Sequence, residues 1–170
     1  MNENSMALKY GINPHQKPAN ISIPSERMPF RILNGRPGYI NLMDALNSWQ
    51  LVNELTKATG KTAAASSKHV SPAGAAVSEP VNEREQKALF IRSDEAESEA
   101  ALAYARARGA DRMSSFGDWA AVSSEVDVGL ASFLSREVNH GIIAPGFEKN
   151  ALEILSKEGK REIRYSSGRN

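Results

Sequence analysis

Cysteine is absent from this 170-residue chain. Disulfide bridges and thiolate metal sites are therefore excluded. Long hydrophobic runs are also missing, since none approaches the roughly 18 residues of a membrane span. The opening residues Met1–Ser5 lack the basic start and apolar core of a secretory signal peptide. From these absences we expect a cytoplasmic protein with no membrane partner.

An excess of either charge is missing as well. Lys and Arg total 21 and Asp and Glu total 20, which leaves a net charge of +1. This balance argues against a general nucleic-acid binder, which carries a basic face. One or two local cations can still hold a single phosphate. The glycine-rich phosphate motifs of the dinucleotide-binding and Walker types are absent.

Metal-binding patterns are equally scarce. No His-x-Glu occurs together with paired cysteines, which excludes zinc-deaminase chemistry. The three histidines, His15, His69 and His140, lie far apart in the sequence, and nothing in their spacing suggests a metal site. We interpret His15, in an Asn-Pro-His-Gln loop, as structural.

What is present is the composition of an ordinary globular protein, with 41% hydrophobic and 24% charged residues. At this length a single domain is the default, and such a chain can bury about 70% of its unfolded surface. Strand-like and helix-like segments alternate along the sequence. This alternation is typical of an α/β domain in three layers, with helices on both faces of a sheet.

Hydrophobic periodicity and turn residues give the predicted elements. Strands are predicted at Ala19–Ile23, Phe30–Leu33, Lys61–Ser66, Trp119–Val122, Ile142–Ala144 and Glu162–Tyr165. Helices are predicted from Asn41 to Thr59, from Ser93 to Arg108, from Asp127 to Val138 and over 149–157. Leu8–Gln16 and Glu79–Glu85 are predicted as an ordered loop and a surface connection, and Ser166–Asn170 as a polar tail. Asp44 falls off the apolar stripe of the first helix.

Lys68 and His69 form the candidate proton-transfer pair of this sequence. They follow a small, strand-like run, Ala63–Ser67, and precede the turn formers of Ser71–Gly74. Burial or a neighbouring charge can tune an imidazole or an ammonium for proton transfer. Ligands of open α/β sheets bind beyond the carboxyl ends of strands. The alternative is a solvated lysine beside a capping histidine.

Several segments, taken in order, resemble one enzyme family. They are Lys9–Gln16, Leu33–Gly35, Gly38–Leu42, Asp44–Asn47, Ser67–Val77, Tyr104–Asp118 and Gly141–Phe147. Together they are similar to the transformylase part of the bifunctional purine-biosynthesis enzymes. Those enzymes pass a formyl group from 10-formyltetrahydrofolate to aminoimidazole carboxamide ribonucleotide (AICAR).

The resemblance implies a fold and a setting. The family's transformylase consists of two cytidine-deaminase-like α/β/α halves, and residues 1–165 resemble only the first half. Nothing in the chain resembles the second half or the cyclohydrolase domain that usually precedes both. Family active sites lie between subunits, so a homodimer or a second-half polypeptide is the expected partner, with AICAR and a reduced folate as ligands.

The resemblance also implies roles for six residues. His69 matches the histidine that binds the nucleotide and takes a proton from its 5-amino group, and Lys68 would steady charge on the formyl oxygen or assist departure of the folate nitrogen. Lys9 and Tyr10 match an Arg-Tyr pair at the nucleotide. The two other matches are Gly117, a glycine whose backbone contacts the nucleotide, and His140, which replaces an aspartate.

Two departures and the missing half leave alternatives open. Lys9 lacks the bidentate fork of arginine, and a neutral imidazole at His140 accepts through only one nitrogen. The first interpretation is a formyltransferase of purine synthesis that needs a second half. The others are a non-catalytic nucleotide-binding or assembly module and a truncated remnant of the enzyme.

Overall fold

The structure is a computed structural model that describes residues 3–24, 29–157 and 161–165. Within these residues the strands are β1 (Glu3–Leu8), β2 (Ala19–Pro24), β3 (Phe30–Asn34), β4 (Ala63–Lys68), β5 (Ser71–Val77), β6 (Asp118–Val122), β7 (Asn139–Ala144) and β8 (Arg161–Tyr165). The helices are α1 (Tyr39–Thr59), α2 (Glu83–Leu89), α3 (Glu99–Ala110), α4 (Val128–Ser135) and α5 (Lys149–Lys157). The predicted tail Ser166–Asn170 lies outside the described residues.

A mixed six-stranded sheet in the order β3-β8-β7-β6-β4-β5 forms the centre of the fold. The pairs β6–β7 and β7–β8 are parallel, and the pairs β3–β8, β4–β5 and β4–β6 are antiparallel. β1 and β2 form a separate antiparallel pair. The β4–β5 hairpin occupies one edge of the sheet.

Alternation along the central strands separates two apolar clusters, one on each face of the sheet. Ala63 and Ala65 of β4 belong to the cluster with Leu42, Trp49 and Val52 of α1. Ala64 belongs to the cluster beneath α3, α4 and α5. Helices therefore cover both faces, and the predicted α/β class is confirmed; the cytidine-deaminase-like fold and the domain limits 1–165 stay predictions.

α1 begins and ends close to its predicted limits. Its N-cap is Gly38, whose N–H donates to the Asn41 side chain at 3.1 Å, and its C-cap is Gly60 at φ 72°. Glycine is favoured at such a left-handed C-terminal position because it has no Cβ. Asp44, predicted to lie off the apolar stripe, has a buried side chain.

The second predicted helix starts too early in the sequence. Helix α3 begins only at Glu99, after Ser98, whose hydroxyl accepts a hydrogen bond from the Ala101 N–H at 2.9 Å. Residues 93–98 form turns instead, because the buried Glu95 carboxylate accepts the Arg92 N–H and pairs with Arg136.

Two further segments differ from their predictions. The predicted connection Glu79–Glu85 contains the start of α2, capped by Asn82 in a reciprocal pair with Glu85. α4 is capped by Asp127 as predicted, but it ends at Ser135, and residues 139–141 open β7 instead of stopping a helix. No helix in the described ranges is long and apolar enough to cross a bilayer.

Candidate functional site

The Lys68–His69 pair lies at the tip of the β4–β5 hairpin. Lys68 pairs with Ser71 in the ladder, so His69 and Val70 form a two-residue turn. Both have left-handed backbones, with φ 56° and 65°. Positive φ at both central residues matches the twist of a hairpin, but it costs a β-branched valine on the order of 1–2 kcal/mol. The turn is therefore strained and needs support from elsewhere in the fold.

That support comes from Asp44 of α1, which sequence reasoning missed. Its buried carboxylate accepts hydrogen bonds from the backbone N–H groups of Val70 and His69. Burial raises the pKa of Asp44 above 3.8, although these N–H donors and the positive charges of His69 and His140 act to lower it. The helix and the hairpin tip are thus joined through one carboxylate.

A cleft of about 440 Å³ opens beside the turn. Of the six predicted site residues, five line it: Tyr10, Lys68, His69, Gly117 and His140. Asp44, Asn41, Ile40, Ile12, Asn13 and Pro14 complete the lining. Residues from five separate stretches of the chain therefore meet at one concave surface, as a ligand site requires.

Lys9 does not line this cleft. Its side chain is exposed, and its backbone N–H donates to the Pro37 carbonyl at 2.9 Å. The neighbouring Tyr10 accepts a bond at its carbonyl from the Tyr39 N–H, which fixes the loop against the start of α1. The role of Lys9 at the nucleotide stays a prediction.

Gly117 and His140 face each other across the cleft wall. Gly117 has φ 73°, and a Cβ placed on it would lie 3.4 Å from the His140 Cε1. Its N–H donates to the Val138 carbonyl at 2.8 Å, which joins the loop to the start of β7. A glycine therefore serves both the turn and the close approach of the imidazole.

Lys68 is half-buried and directed at the loop before β6. Its Nζ donates to the Phe116 carbonyl oxygen at 2.6 Å. The ammonium retains further N–H donors beyond this bond, so it can serve the cleft while tied to the loop. A second cleft of about 500 Å³ also includes Lys68 and His69, together with Ser71, Pro72, Ala73, Asp111 and Ser114. The pair therefore borders two cavities.

A buried polar network supports the loop that carries Gly117. Asp118 accepts from Arg108 at 3.0 Å, from Tyr104 at 2.7 Å and from Ser66 at 2.5 Å. Burial raises the pKa of Asp118 although its donors act to lower it. Arg108 also donates to the Ser115 carbonyl at 2.6 Å. The network fixes the backbone immediately before Gly117.

The described residues contain no group of three or more His, Asp or Glu side chains arranged to hold a metal ion. An imidazole, an ammonium, a phenol and a strained backbone turn lie together. This set suits proton transfer to and from a polar ligand.

The fold and site together define the class of protein. The chain belongs to the AICARFT/IMPCHase bienzyme family, whose model matches residues 1–166. Among its relatives is the bifunctional purine biosynthesis protein PurH of Thermotoga maritima, which is 33% identical over 161 residues. PurH of Listeria welshimeri is 32% identical over 163 residues, and PurH of Petrotoga mobilis 31% over 165.

The shared region covers most of this chain but a smaller part of each relative. It takes in 94%, 93% and 95% of this chain and 29%, 27% and 28% of the Thermotoga, Listeria and Petrotoga proteins, respectively. The chain thus spans less than a third of the length of these relatives.

Proposed function

We propose that this chain provides the nucleotide-binding and proton-transfer part of an AICAR formyltransferase acting in purine biosynthesis. The family and the PurH relatives support the pathway. The observation that carries the proposal is the cleft itself, in which His69 and Lys68 meet Tyr10, Gly117 and His140. In keeping with that role, we propose that the chain works in the cytoplasm.

The reaction moves a formyl group from 10-formyltetrahydrofolate to the 5-amino nitrogen of AICAR. A new N–C bond forms, the bond between the formyl carbon and the folate nitrogen breaks, and tetrahydrofolate leaves. His69 accepts the proton lost by the amine during attack, since this conjugated amine is a poor nucleophile. A positioned base of this kind contributes roughly 10²–10⁴ in rate.

Lys68 assists the same step at the formyl group and its leaving group. Its ammonium stabilises negative charge that develops on the formyl oxygen, or assists departure of the folate nitrogen. The bond from Nζ to the Phe116 carbonyl fixes the position of the ammonium, which lowers the ordering cost of placing the charge during the reaction.

The nucleotide would be held by the remaining cleft residues. Tyr10 offers a ring and a hydroxyl to the ribotide, and Gly117 allows the close approach of its backbone. His140 stands where the family has an aspartate, and Lys9, which does not line the cleft, matches a family arginine without its bidentate fork. We expect these two substitutions to weaken nucleotide binding.

The folate site and further nucleotide contacts are proposed to come from additional polypeptide. This chain covers 27–29% of the length of its PurH relatives, and the family's transformylase has a second half. The expected partner is a second-half polypeptide or a second copy in a homodimer.

A non-catalytic nucleotide-binding module is the second candidate. The observation in its favour is that Lys68 already donates to the Phe116 carbonyl, while Lys9 and His140 depart from the family pattern. A module of this kind binds AICAR but transfers no formyl group with any partner.

The test combines titration and assay. AICAR binding is measured by calorimetry on the chain alone, and formyl transfer is assayed with and without the remaining polypeptide of the Thermotoga PurH. The enzyme predicts binding by the chain and transfer only in the mixture, abolished by His69→Ala and retained by His15→Ala. His15 is a matched control because it is exposed and outside the cleft lining. Binding without transfer in any mixture supports the module.

A further inference from the structure

The carboxylate that supports the hairpin tip points to a further functional residue in this site. Asp44 lies on α1, 25 residues before His69 in the sequence, and its side chain is buried. Its carboxylate accepts the consecutive N–H groups of His69 and Val70. Both of those residues have left-handed backbones. One carboxylate therefore meets the strained turn at both of its central amides.

We propose that Asp44 is a positioning residue that holds the His69–Val70 turn and stabilises the imidazolium formed when His69 accepts a proton. The inference rests on the proposed function for its catalytic part. Its conformational part concerns the turn alone and stands without any substrate.

The charge of the Asp44 carboxylate supports its second role. Burying a carboxylate is costly, and within the described residues no Lys or Arg side chain pairs with it. A neutral amide oxygen could accept hydrogen bonds from the two backbone N–H groups equally well, so these bonds alone do not require a carboxylate. A carboxylate adds negative charge, and Asp44 lines the same cleft as His69 and His140. Its charge thus lies in the cleft that holds the group proposed to gain a proton in the reaction.

The titratable groups around Asp44 come from separate elements. His69 faces it from the hairpin tip and His140 from β7, while Tyr10 and Lys68 share the lining of the same cleft. Burial raises the pKa of the Asp44 carboxyl. Acidification should therefore neutralise Asp44 at a higher pH than an exposed aspartate.

Three variants separate the two roles of Asp44. Asp44→Asn keeps an oxygen acceptor and removes the charge, Asp44→Ala removes both, and Glu54→Gln is the matched control. Glu54 lies on the same helix with an exposed side chain, so its change neutralises one charge without touching the turn.

The first readout is nitrogen-15 NMR on the chain without substrates. In the unmodified protein the amide signals of His69 and Val70 should show a common step at acidic pH with a midpoint above 3.8, the ordinary aspartate pKa, in addition to any change caused by protonation of the imidazole itself. Asp44→Asn should abolish that acidic step and keep the two amides ordered. Asp44→Ala should also lower their order parameters below about 0.6, the range of flexible backbone. Retention of the acidic step in Asp44→Asn, or of full order in Asp44→Ala, overturns the proposal.

The second readout is kinetic, in the mixture that transfers formyl groups. Asp44→Asn should lower kcat by about tenfold or more and change the KM for AICAR by less than about threefold, because the lost charge acts on the proton transfer. Glu54→Gln should change neither. An Asp44→Asn enzyme with unchanged kcat overturns the catalytic part. If no mixture shows formyl transfer, the proposed function fails, while the NMR result still decides the conformational part.

Discussion

Val70 has a left-handed backbone conformation, which is unfavourable for a β-branched residue. It is β-branched, 39% exposed and held at φ 65°. We expect Val70→Gly to raise the free energy of unfolding by about 0.5–1 kcal/mol. Glycine relieves strain of about 1–2 kcal/mol, which outweighs the roughly 0.5–1 kcal/mol of extra chain entropy that it costs. Urea denaturation measures the change.

Val77→Gly is the matched control, because Val77 lies in the same hairpin without a positive φ. Its side chain is half-buried against the α1 cluster, so this substitution should destabilise the protein by about 1–2 kcal/mol. Equal losses in the two variants would show that the turn at Val70 carries no strain.

Single residues also show where sequence reasoning succeeds and where it stops. Lys68 and His69 were found because a run of small residues leading into turn formers is a local signal. Helical periodicity puts Asp44 off the apolar stripe of α1 but does not predict its burial, because it records only the helix itself. Its burial depends on a turn 25 residues later, which no local pattern reveals. A two-residue turn that contains no glycine suggests that a buried acceptor supports it, but this signal can be used only once the hairpin itself is known.

At the scale of elements, Arg108 joins α3 to the loop before β6. Its guanidinium is 2% exposed and donates to Asp118, to the Ser115 carbonyl and to Glu137. We expect Arg108→Met to cost about 3–5 kcal/mol at pH 7, because it leaves the buried Asp118 carboxylate without its cation. Thermal or urea unfolding gives the value.

The loss in Arg108→Met should shrink as the pH falls from 7 towards 4. The folded pKa of Asp118 lies above 3.8, so protonation of Asp118 stabilises the fold at low pH and this contribution is lost as the pH rises through the folded pKa. Removing Arg108 removes a cation that lowers this pKa and so moves it further up. Arg106→Met, at a partly exposed pair with Glu85, should cost less than about 1 kcal/mol at either pH. A deficit in Arg108→Met that grows on acidification would contradict the assignment.

Element boundaries were predicted less well than element types, for local physical reasons. Ser93 and Ser98 are both good helix caps, and the first was chosen because acidic residues follow it. Glu95 is instead buried against Arg136, so the turn at 93–98 is fixed by a partner on α4's C-terminal end. No strand is predicted over β5, because its alanines and glycine have low strand propensity. Gly74 is nevertheless required there, since a Cβ would lie 2.1 Å from the Ala107 carbonyl oxygen of α3.

At the scale of the whole molecule, the sequence predicts the fold class but not the order in which the strands pair. Alternating strands and helices gave a layered α/β domain, and both apolar clusters share one sheet. The antiparallel β4–β5 and β4–β6 pairs place the Lys68–His69 turn at a hairpin tip rather than at a crossover. Strand order depends on contacts between distant segments, which periodicity does not encode. The resemblance supplied residues for the cleft, and the fold showed that five of them meet.

The surface beside the cleft leads to the last prediction. Met113 and Phe116, in the loop that receives Lys68, are 89% and 60% exposed. Apolar side chains at the rim of a site are typical of a partner interface, and the PurH relatives are more than three times as long as their match to this chain. We expect Met113→Ser with Phe116→Ser to weaken association with the remaining PurH polypeptide by about tenfold or more. Stability should change by less than about 0.5 kcal/mol, because neither side chain is buried.

Sedimentation of the mixture measures that association, and Val128→Ser is the control, since Val128 is 41% exposed at the start of α4. Hydrogen exchange adds a second readout, in which the partner should protect the amides of residues 112–117 in the unmodified chain but not in the double variant. If the double variant binds as tightly as the control, Met113 and Phe116 lie outside the contact and the prediction fails.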